Sequence, residues 1–553
     1  VRAPSGAGSE SAIAGDPYEG ASRMSRELAM WRPNNRSADR DIIPNKRLAD
    51  ARVRDTLRND AFVRNGQILH QDNIVGGLFF LNAKPVTKIM LGKADPVWES
   101  EFQEEVETKF MLWGESSEAW IDAARRHTFS TMVRQAVGTY LATGEMLALV
   151  EWVRDDADMR PMNTSIRMVD LDRLSTPASM MQNNAFVIGG VEVNKRHVPT
   201  AYHIRKAHPE AYYYAESYEW ERIAARKPWG RPQVIHLFEQ VRPNQTRGIS
   251  DLTVALKEMR MTKDFRDTVL QNAVVNATYA ASIESDLDTE TIFQRLGGGN
   301  LGADLQDEAL NLIEGYMGGY MGAVAKYMGA SNQFQLGGVK IPHLPPGSKL
   351  HMQPAAKGGP LGTDLEKSLL RHIAAALGVS YEQLSKDYSE TNYSSARAAM
   401  TETWKRMVSL KSMLADRFAT MIYRLWLEEA VNKGLITSLP RRMGKDSSWL
   451  YQPFMMEALT TCEWIGASRG QIDELKETQA AVLRMKYGLS TMERESARLG
   501  TDWRQNIRQM QREKEALGED FNHPATATDN TMNAASGEPS ALNAYDDVLG
   551  EAA

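Results

Sequence analysis

Residues 394–431 read SSARAAMTETWKRMVSLKSMLADRFATMIYRLWLEEAV. Ala398, Met400, Trp404, Met407, Leu414, Phe418, Ile422, Leu425 and Trp426 recur near helical spacing, with polar residues between them. The pattern predicts one long amphipathic helix, extending roughly 55 Å at 1.5 Å per residue. The mean globular helix is only about 11–12 residues. A helix of this length serves as a strut across a domain or as part of an assembly.

On its N-terminal side, Ser385–Asn392 is a short polar segment. Before it, Asp364 to Leu377 reads as a helix with Gly378 as its C-cap. Residues 251–280 read as another helix, with Asp251 suited to its N-terminal dipole. Its first half alternates acids and bases and its second half is apolar nearly all round. Between these helices, residues 285–361 are glycine-heavy. They predict a small module with a short helix at Asp304 to Met317 and strands at Val339 to Ile341 and Leu350 to Met352.

Further out, residues 146–240 change period. LALVEWV, TSIRMVDL, AFVIGGVEV, TAYHIRKA and VIHLFEQ are short β-branched or aromatic runs separated by turns, which predict strands. Residues 48–143 predict helices: Leu48 to Val75 ended by Gly76-Gly77, then 97–113, then 128–142 opened by Thr128 or Ser130. Residues 463–516 predict two or three more. The fold class is therefore α+β, mainly helical. Residues 1–20 and 521–553 lack periodicity and predict flexible ends, the second with five acids and no Lys or Arg.

Composition narrows the function. The chain has 553 residues, 42% hydrophobic and 25% charged, enough for about three or four domains. Lys+Arg is 65 and Asp+Glu is 71, for a net charge of −6, so a broad basic footprint for nucleic acid is absent. Cys462 is the single cysteine, which rules out an internal disulfide or a cysteine-built metal site. No run approaches the 18 or more apolar residues of a membrane span, and residues 1–20 lack a signal-peptide pattern.

Catalytic motifs fail in turn. No GxxxxGK[ST] occurs, and the cluster Gly297–Gly299 has no following Lys, so no phosphate loop is expected. The ten histidines include no HExxH; His197, His203, His343 and His351 lack ligand spacing. Asp155, Asp156 and Asp158 lack the Gly and distal Glu of a cation loop. Gly466-Ala-Ser468-Arg-Gly470 fits GxSxG, but that elbow needs a parallel-sheet strand before it and a later acid and His, and only His523 follows. No enzyme, cofactor or metal is expected.

Longer strings carry a resemblance. His70-Gln-Asp-Asn-Ile-Val-Gly76 and Gln245-Thr-Arg-Gly248 are similar to the portal proteins of tailed bacteriophages, lambda type. The most specific match is Ile373-Ala-Ala-Ala-Leu-Gly-Val-Ser-Tyr-Glu-Gln-Leu384 followed by Tyr393-Ser-Ser-Ala-Arg397. Trp464-Ile-Gly466, Ile472-Asp-Glu-Leu-Lys-Glu477 and Gly488-Leu-Ser-Thr491 add to it. The matches keep family order over roughly residues 35–515.

The resemblance implies a portal-protein fold with wing, stem, clip and crown. Its parts would be an N-terminal arm 1–35, wing 36–250, stem helix 251–282, clip 283–361 and stem helix 362–378. A channel loop 379–394, a long wing helix 395–439, wing and crown helices 440–520 and an acidic tail 521–553 would follow. It implies a closed ring of about twelve copies at a capsid vertex, a channel for DNA packaging and ejection. Expected partners are the terminase motor, the head–tail connector, the major capsid and scaffold proteins, and double-stranded DNA passing without sequence reading. No membrane is implied, and the location is the virion, after assembly in the host cytoplasm. The expected DNA-channel residues are Ser385, Lys386, Asp387, Tyr388, Ser389 and Asn392. The competing readings are a capsid-vertex structural protein without a channel and a serine hydrolase using Ser468.

Overall fold

The computed structural model describes residues 19–21, 26–28, 30–154, 160–180, 186–211, 215–279, 334–336, 339–341, 360–440, 447–470 and 473–517. Outside these lie most of the N-terminal arm, the acidic tail, Asp155, Asp156, Asp158 and most of the glycine-rich module. The expected helix Asp304 to Met317, the strand Leu350 to Met352, His343, His351 and His523 also lie outside them. The chain forms two compact units, one of Val1–Ala51, Gln71–Ser250 and Ser409–Ala553, the other of Arg52–His70 and Asp251–Val408.

The first half begins with helices α1 (Ala38–Asn59) and α2 (Ala61–Ile74), strand β1 (Phe80–Ala83), and helices α3 (Thr87–Leu91), α4 (Pro96–Gly114) and α5 (Phe129–Thr143). The single helix expected over Leu48 to Val75 is two. Asp60 breaks it because its carboxylate accepts the amides of Phe62 and Val63, 2.9 and 3.1 Å away, and so caps a new helix. Helices α4 and α5 fall within a residue of the expected ranges. Thr128 occupies the α5 cap position, but its side chain accepts no amide of the first turn and instead meets the Thr131 hydroxyl at 3.2 Å. Glu115 takes that role, accepting the amide and hydroxyl of Ser130 at 2.8 and 2.5 Å.

The strand region holds β2 (Glu145–Trp152), β3 (Thr164–Met168), β4 (Val187–Ile188), β5 (Val191–Val193), β6 (Pro199–Arg205), β7 (Trp220–Ala224) and β8 (Val234–Phe238). They form an antiparallel sheet β3-β2-β8 and an antiparallel sheet β4-β5-β6-β7. The run AFVIGGVEV is a hairpin, turned at Gly189-Gly190 and paired Ile188 to Val191. Leu147, Leu149, Val169, Val191, Tyr202, Ile204 and Val234 pack into one buried core. Strand β7 was not expected; its Glu221 and Arg222 interrupt the apolar pattern.

In the second unit, helix α6 (Leu256–Tyr279) follows a 3-10 turn, Asp251–Ala255, and packs against α7 (Pro360–Leu377). Strands β9 (Phe334–Leu336) and β10 (Val339–Ile341) pair antiparallel. A short helix, α8 (Tyr381–Ser385), follows α7.

The 394–431 stretch is helical but not uniform. Helix α9 (Tyr393–Leu410) leads into a π-helical turn, Lys411–Asp416, and then α10 (Arg417–Asn432). Beyond it come α11 (Met455–Leu459), β11 (Cys462–Ile465), α12 (Glu474–Lys486), α13 (Met492–Arg498) and α14 (Trp503–Leu517).

Strand β11 pairs antiparallel with β1, Trp464 opposite Leu81. The ring of Phe110 is the hub of an aromatic cluster in the first unit. Ring centroids lie 5.1 Å away for Phe129, 5.4 Å for Trp426, 5.8 Å for Tyr423 and 5.9 Å for Trp464, all near edge-to-face. Each such pair contributes about 0.5–1.5 kcal/mol beyond burial, so α10, α4, α5 and β11 share one rigid core.

Candidate functional site

The polar segment expected to act in the channel is held by the most specific string of the sequence. Helix α7 ends where Gly378 takes φ +67°. The amide of Val379 then reaches the carbonyl of Ala374 and that of Gly378 the carbonyl of Ala375, both at 3.1 Å. This is a Schellman close, and glycine suits its left-handed position. Ser380 at once caps α8: its hydroxyl accepts the amide of Gln383, whose side chain accepts the amide of Ser380. That reciprocal box makes a helix where an open loop was expected over residues 379–394.

Helix α8 is seated from below. Leu384 is fully buried. The Asn65 amide group donates to the carbonyls of Gln383 and Leu384, both at 2.9 Å. A Cβ on Gly66 would lie 2.6 Å from a Leu377 methyl and 3.4 Å from a Leu384 methyl, so the absence of a side chain there lets the two leucines close on α2. The buried ring of His70 bonds the Gly66 carbonyl at 2.7 Å, and burial pushes its pKa down.

From this seat the expected site residues run out in order. Ser385 ends α8 and its hydroxyl accepts the amide of Asp387 at 3.2 Å. Lys386 stands in the left-handed region at φ +61°; it is exposed, and no ion pair among the described residues includes it. The Asp387 carboxylate accepts the hydroxyl and amide of Ser389 at 2.6 and 3.1 Å, which hold its pKa below the usual value. Tyr388 and Ser389 are exposed, and the amide of Thr391 closes a turn on the Tyr388 carbonyl. Glu390 pairs with Lys367 of α7 at 2.6 Å, a bond that raises the lysine's pKa. Asn392 caps α9 by accepting the amide of Ser395 at 2.8 Å. The segment is thus fixed at both ends, with Lys386, Tyr388 and Ser389 outward.

The string Gln245–Gly248 proves to be a buried knot in the first unit. Gln245 accepts the amides of Val241 and Arg242, and Thr246 donates its amide and hydroxyl to Asp39, both at 2.8 Å. Arg247 donates to the carbonyls of Leu174 and Gly189 at 3.0 and 2.5 Å and to Glu145. Lys46 lies 3.1 Å and His236 also 3.1 Å from the same carboxylate. Burial alone would raise the Glu145 pKa, but Arg247 and then Lys46 hold it well below the usual range. Sequence reading missed Glu145, Lys46 and His236, which lie in ordinary helix and strand patterns.

Ser468 is exposed, and the strand before it belongs to an antiparallel pair, which lacks the parallel sheet of a nucleophile elbow. Asp170, Asp172 and His208 are the metal-like group among the described residues. His208 Nδ1 accepts the amide of Glu210 at 3.1 Å and Nε2 bonds Asp172 at 3.2 Å, so both ring nitrogens are engaged by the protein. Among the described residues no helix is long and apolar enough to cross a membrane.

Comparison with known proteins follows the same ground. The family described as phage portal protein, lambda family, matches residues 24–411. Portal protein B of Escherichia phage lambda is 35% identical over 497 residues, 90% of this chain and 89% of the relative. The portal protein of Escherichia phage N15 is 34% identical over 512 residues, 92% of each. Among solved structures, the neck of an empty gene transfer agent particle shares 11% identity, covering 82% of this chain and 93% of that one, with a TM-score of 0.36. With a family match over most of its length and relatives at this identity over nearly all of it, the chain belongs to the lambda family of phage portal proteins.

Proposed function

We propose that this chain is the subunit of the portal ring at one vertex of a phage capsid. The ring is the channel through which DNA is packaged and later ejected, and the platform for the terminase motor and the head–tail connector. The observation that carries this is the portal family match over residues 24–411, with two portal relatives aligned over about nine-tenths of both chains. A ring closes when one face of each subunit meets a different face of the next; about twelve copies, the major capsid and scaffold proteins, and passing double-stranded DNA complete the assembly. The packed pair α6 and α7 is consistent with stem helices, residues 36–250 with wing and 440–520 with wing and crown.

We assign residues 385–392 to the channel wall. Their charges are Lys386, Asp387 and Glu390, a net of −1. Glu390 is paired and Asp387 is bonded within its own turn, which leaves Lys386 as the side chain able to attract phosphate. One lysine per subunit gives a weak, salt-dependent, sequence-independent contact, suited to DNA that must slide.

Native mass spectrometry of the purified full chain should show a closed ring, and imaging an axial hole. A species that stays monomeric at every concentration and salt would overturn the ring. Lys386→Asn should assemble normally and change the length of DNA packaged or retained, more so at low salt. Normal packaging across salt would remove Lys386 from the channel contact.

A further inference from the structure

The π-helical turn Lys411–Asp416 carries an extra residue in the coil, because its amides bond five rather than four residues back. Such a turn stacks residue i near residue i+5. In an α-helix five residues advance about 500°, leaving the two side chains about 140° apart around the axis. Lys411 and Asp416 are i and i+5, and their side chains meet at 2.7 Å. Their ion pair therefore fits the π form and is broken by the α form.

The lysine is held twice more. Its ammonium donates to the Trp464 carbonyl at 2.8 Å and stands 5.2 Å from the centre of the Phe79 ring. Phe79 and Trp464 are stacked at 5.6 Å with planes 6° apart, and the Trp464 indole donates to Thr420 one turn on, at 3.0 Å. Leu414 and Ala415, inside the turn, are fully buried. The same core thus grips one end of the turn through a polar contact and its middle through apolar ones.

We propose that the Lys411–Asp416 pair is a latch that selects the π form of this turn, and that releasing it lets the turn pass to the α form. The extra residue then shifts the chain on the N-terminal side by one position, about 100° of helical phase. Leu414 and Ala415 stay seated while Ser409 and Leu410 turn. Bistable elements of this kind convert a small local change into a discrete movement. The latch lies within the first unit and is independent of the channel-loop reading.

The test separates the two. In full-length, assembled protein carrying Cys462→Ser, spin labels at Ser409→Cys and Leu435→Cys, diluted into unlabelled subunits, report the distance across the turn. The wild-type turn should give one distance. Lys411→Met, which keeps the apolar stem and removes the charge, should add a second, shifted distance and raise amide exchange over 411–416 at least tenfold. Asp416→Asn, which leaves the bond to Trp464, should do the same to a smaller extent. One unshifted distance in both variants would overturn the latch. So would failure of both to fold, since the pair would then be a brace for a single state. DNA packaging is not read here, so loss of the channel-loop reading leaves this result intact.

Discussion

Arg247 closes on Glu145 with Nη2 2.6 Å from Oε1 and Nε 2.9 and 3.0 Å from the two carboxylate oxygens. Both side chains are 5% exposed or less. Removing one member of a buried pair leaves an unpaired charge, at about 3–5 kcal/mol. Arg247→Met should lose stability on that scale in denaturant unfolding. Arg247→Lys should rescue little, because an ammonium cannot reproduce the forked contact. A Met variant within about 0.5 kcal/mol of wild type would show that Lys46, His236 and the Gly248 amide satisfy Glu145 without it.

Two glycines with similar backbones should respond very differently to alanine. Gly144 has φ +76° and Gly434 φ +66°. A Cβ at Gly144 would stand 2.0 Å from the carbonyl carbon of Ile249, whereas one at Gly434 meets nothing within 4 Å. Gly434→Ala should cost only the left-handed strain, about 1–2 kcal/mol. Gly144→Ala adds a backbone clash that no side-chain movement relieves, and should abolish soluble folded protein. Similar melting temperatures for the two would refute the close approach.

Much of this fold is legible because helices declare themselves locally. Asp95 accepting the amide of Trp98 and the αL close at Gly144 set ends of α4 and α5 that periodicity finds. The pairing of β1 with β11 is not legible: four residues on each side, separated by more than a third of the chain, carry no local signal of one another. Nor is the π turn, since Met407, Leu410, Leu414 and Phe418 keep an acceptable helical spacing across it. For α8 the signal was present and unread: Ser380 and Gln383 are the S-x-x-Q of a capping box. Of the candidate site, the polar character of 385–392 was visible, but its anchors Asn65 and Gly66 belong to a remote helix, and the Lys367 pairing crosses back to α7.

Glu107 should make stability depend on pH near neutrality. One oxygen accepts the amide of Ala83 at 2.9 Å and the other lies 3.4 Å from Arg504. Burial dominates and pushes its pKa up to about 7, with the Asp502 charge adding and Arg504 opposing. Unfolded, the group titrates near 4.3. Between those values the folded state holds a proton that the unfolded state has released. Its contribution therefore rises as pH falls from about 8 towards about 4.5. Glu107→Gln should stabilise the protein at pH 8 by ~1–3 kcal/mol and flatten this part of the profile. An unchanged difference between the two proteins from pH 5 to pH 8 would exclude the shift.

Lys386 lets backbone and charge be told apart at one position. Its φ of +61° is unfavourable for lysine and favourable for glycine or asparagine. Lys386→Gly and Lys386→Asn should therefore fold at least as stably as wild type, glycine gaining up to about 1 kcal/mol from relieved strain. Lys386→Arg keeps both the charge and the strain and should melt with wild type. If the proposed channel contact of Lys386 is electrostatic, packaging should divide the set by charge, with arginine like wild type and glycine and asparagine alike in their defect. If the segment matters through its rigidity, glycine alone should depart, because it frees the hinge between α8 and the Asp387 turn while asparagine keeps it. The salt dependence of DNA retention decides between them: only the electrostatic case weakens with added salt. Indistinguishable packaging by all four proteins would place the DNA contact elsewhere in the subunit.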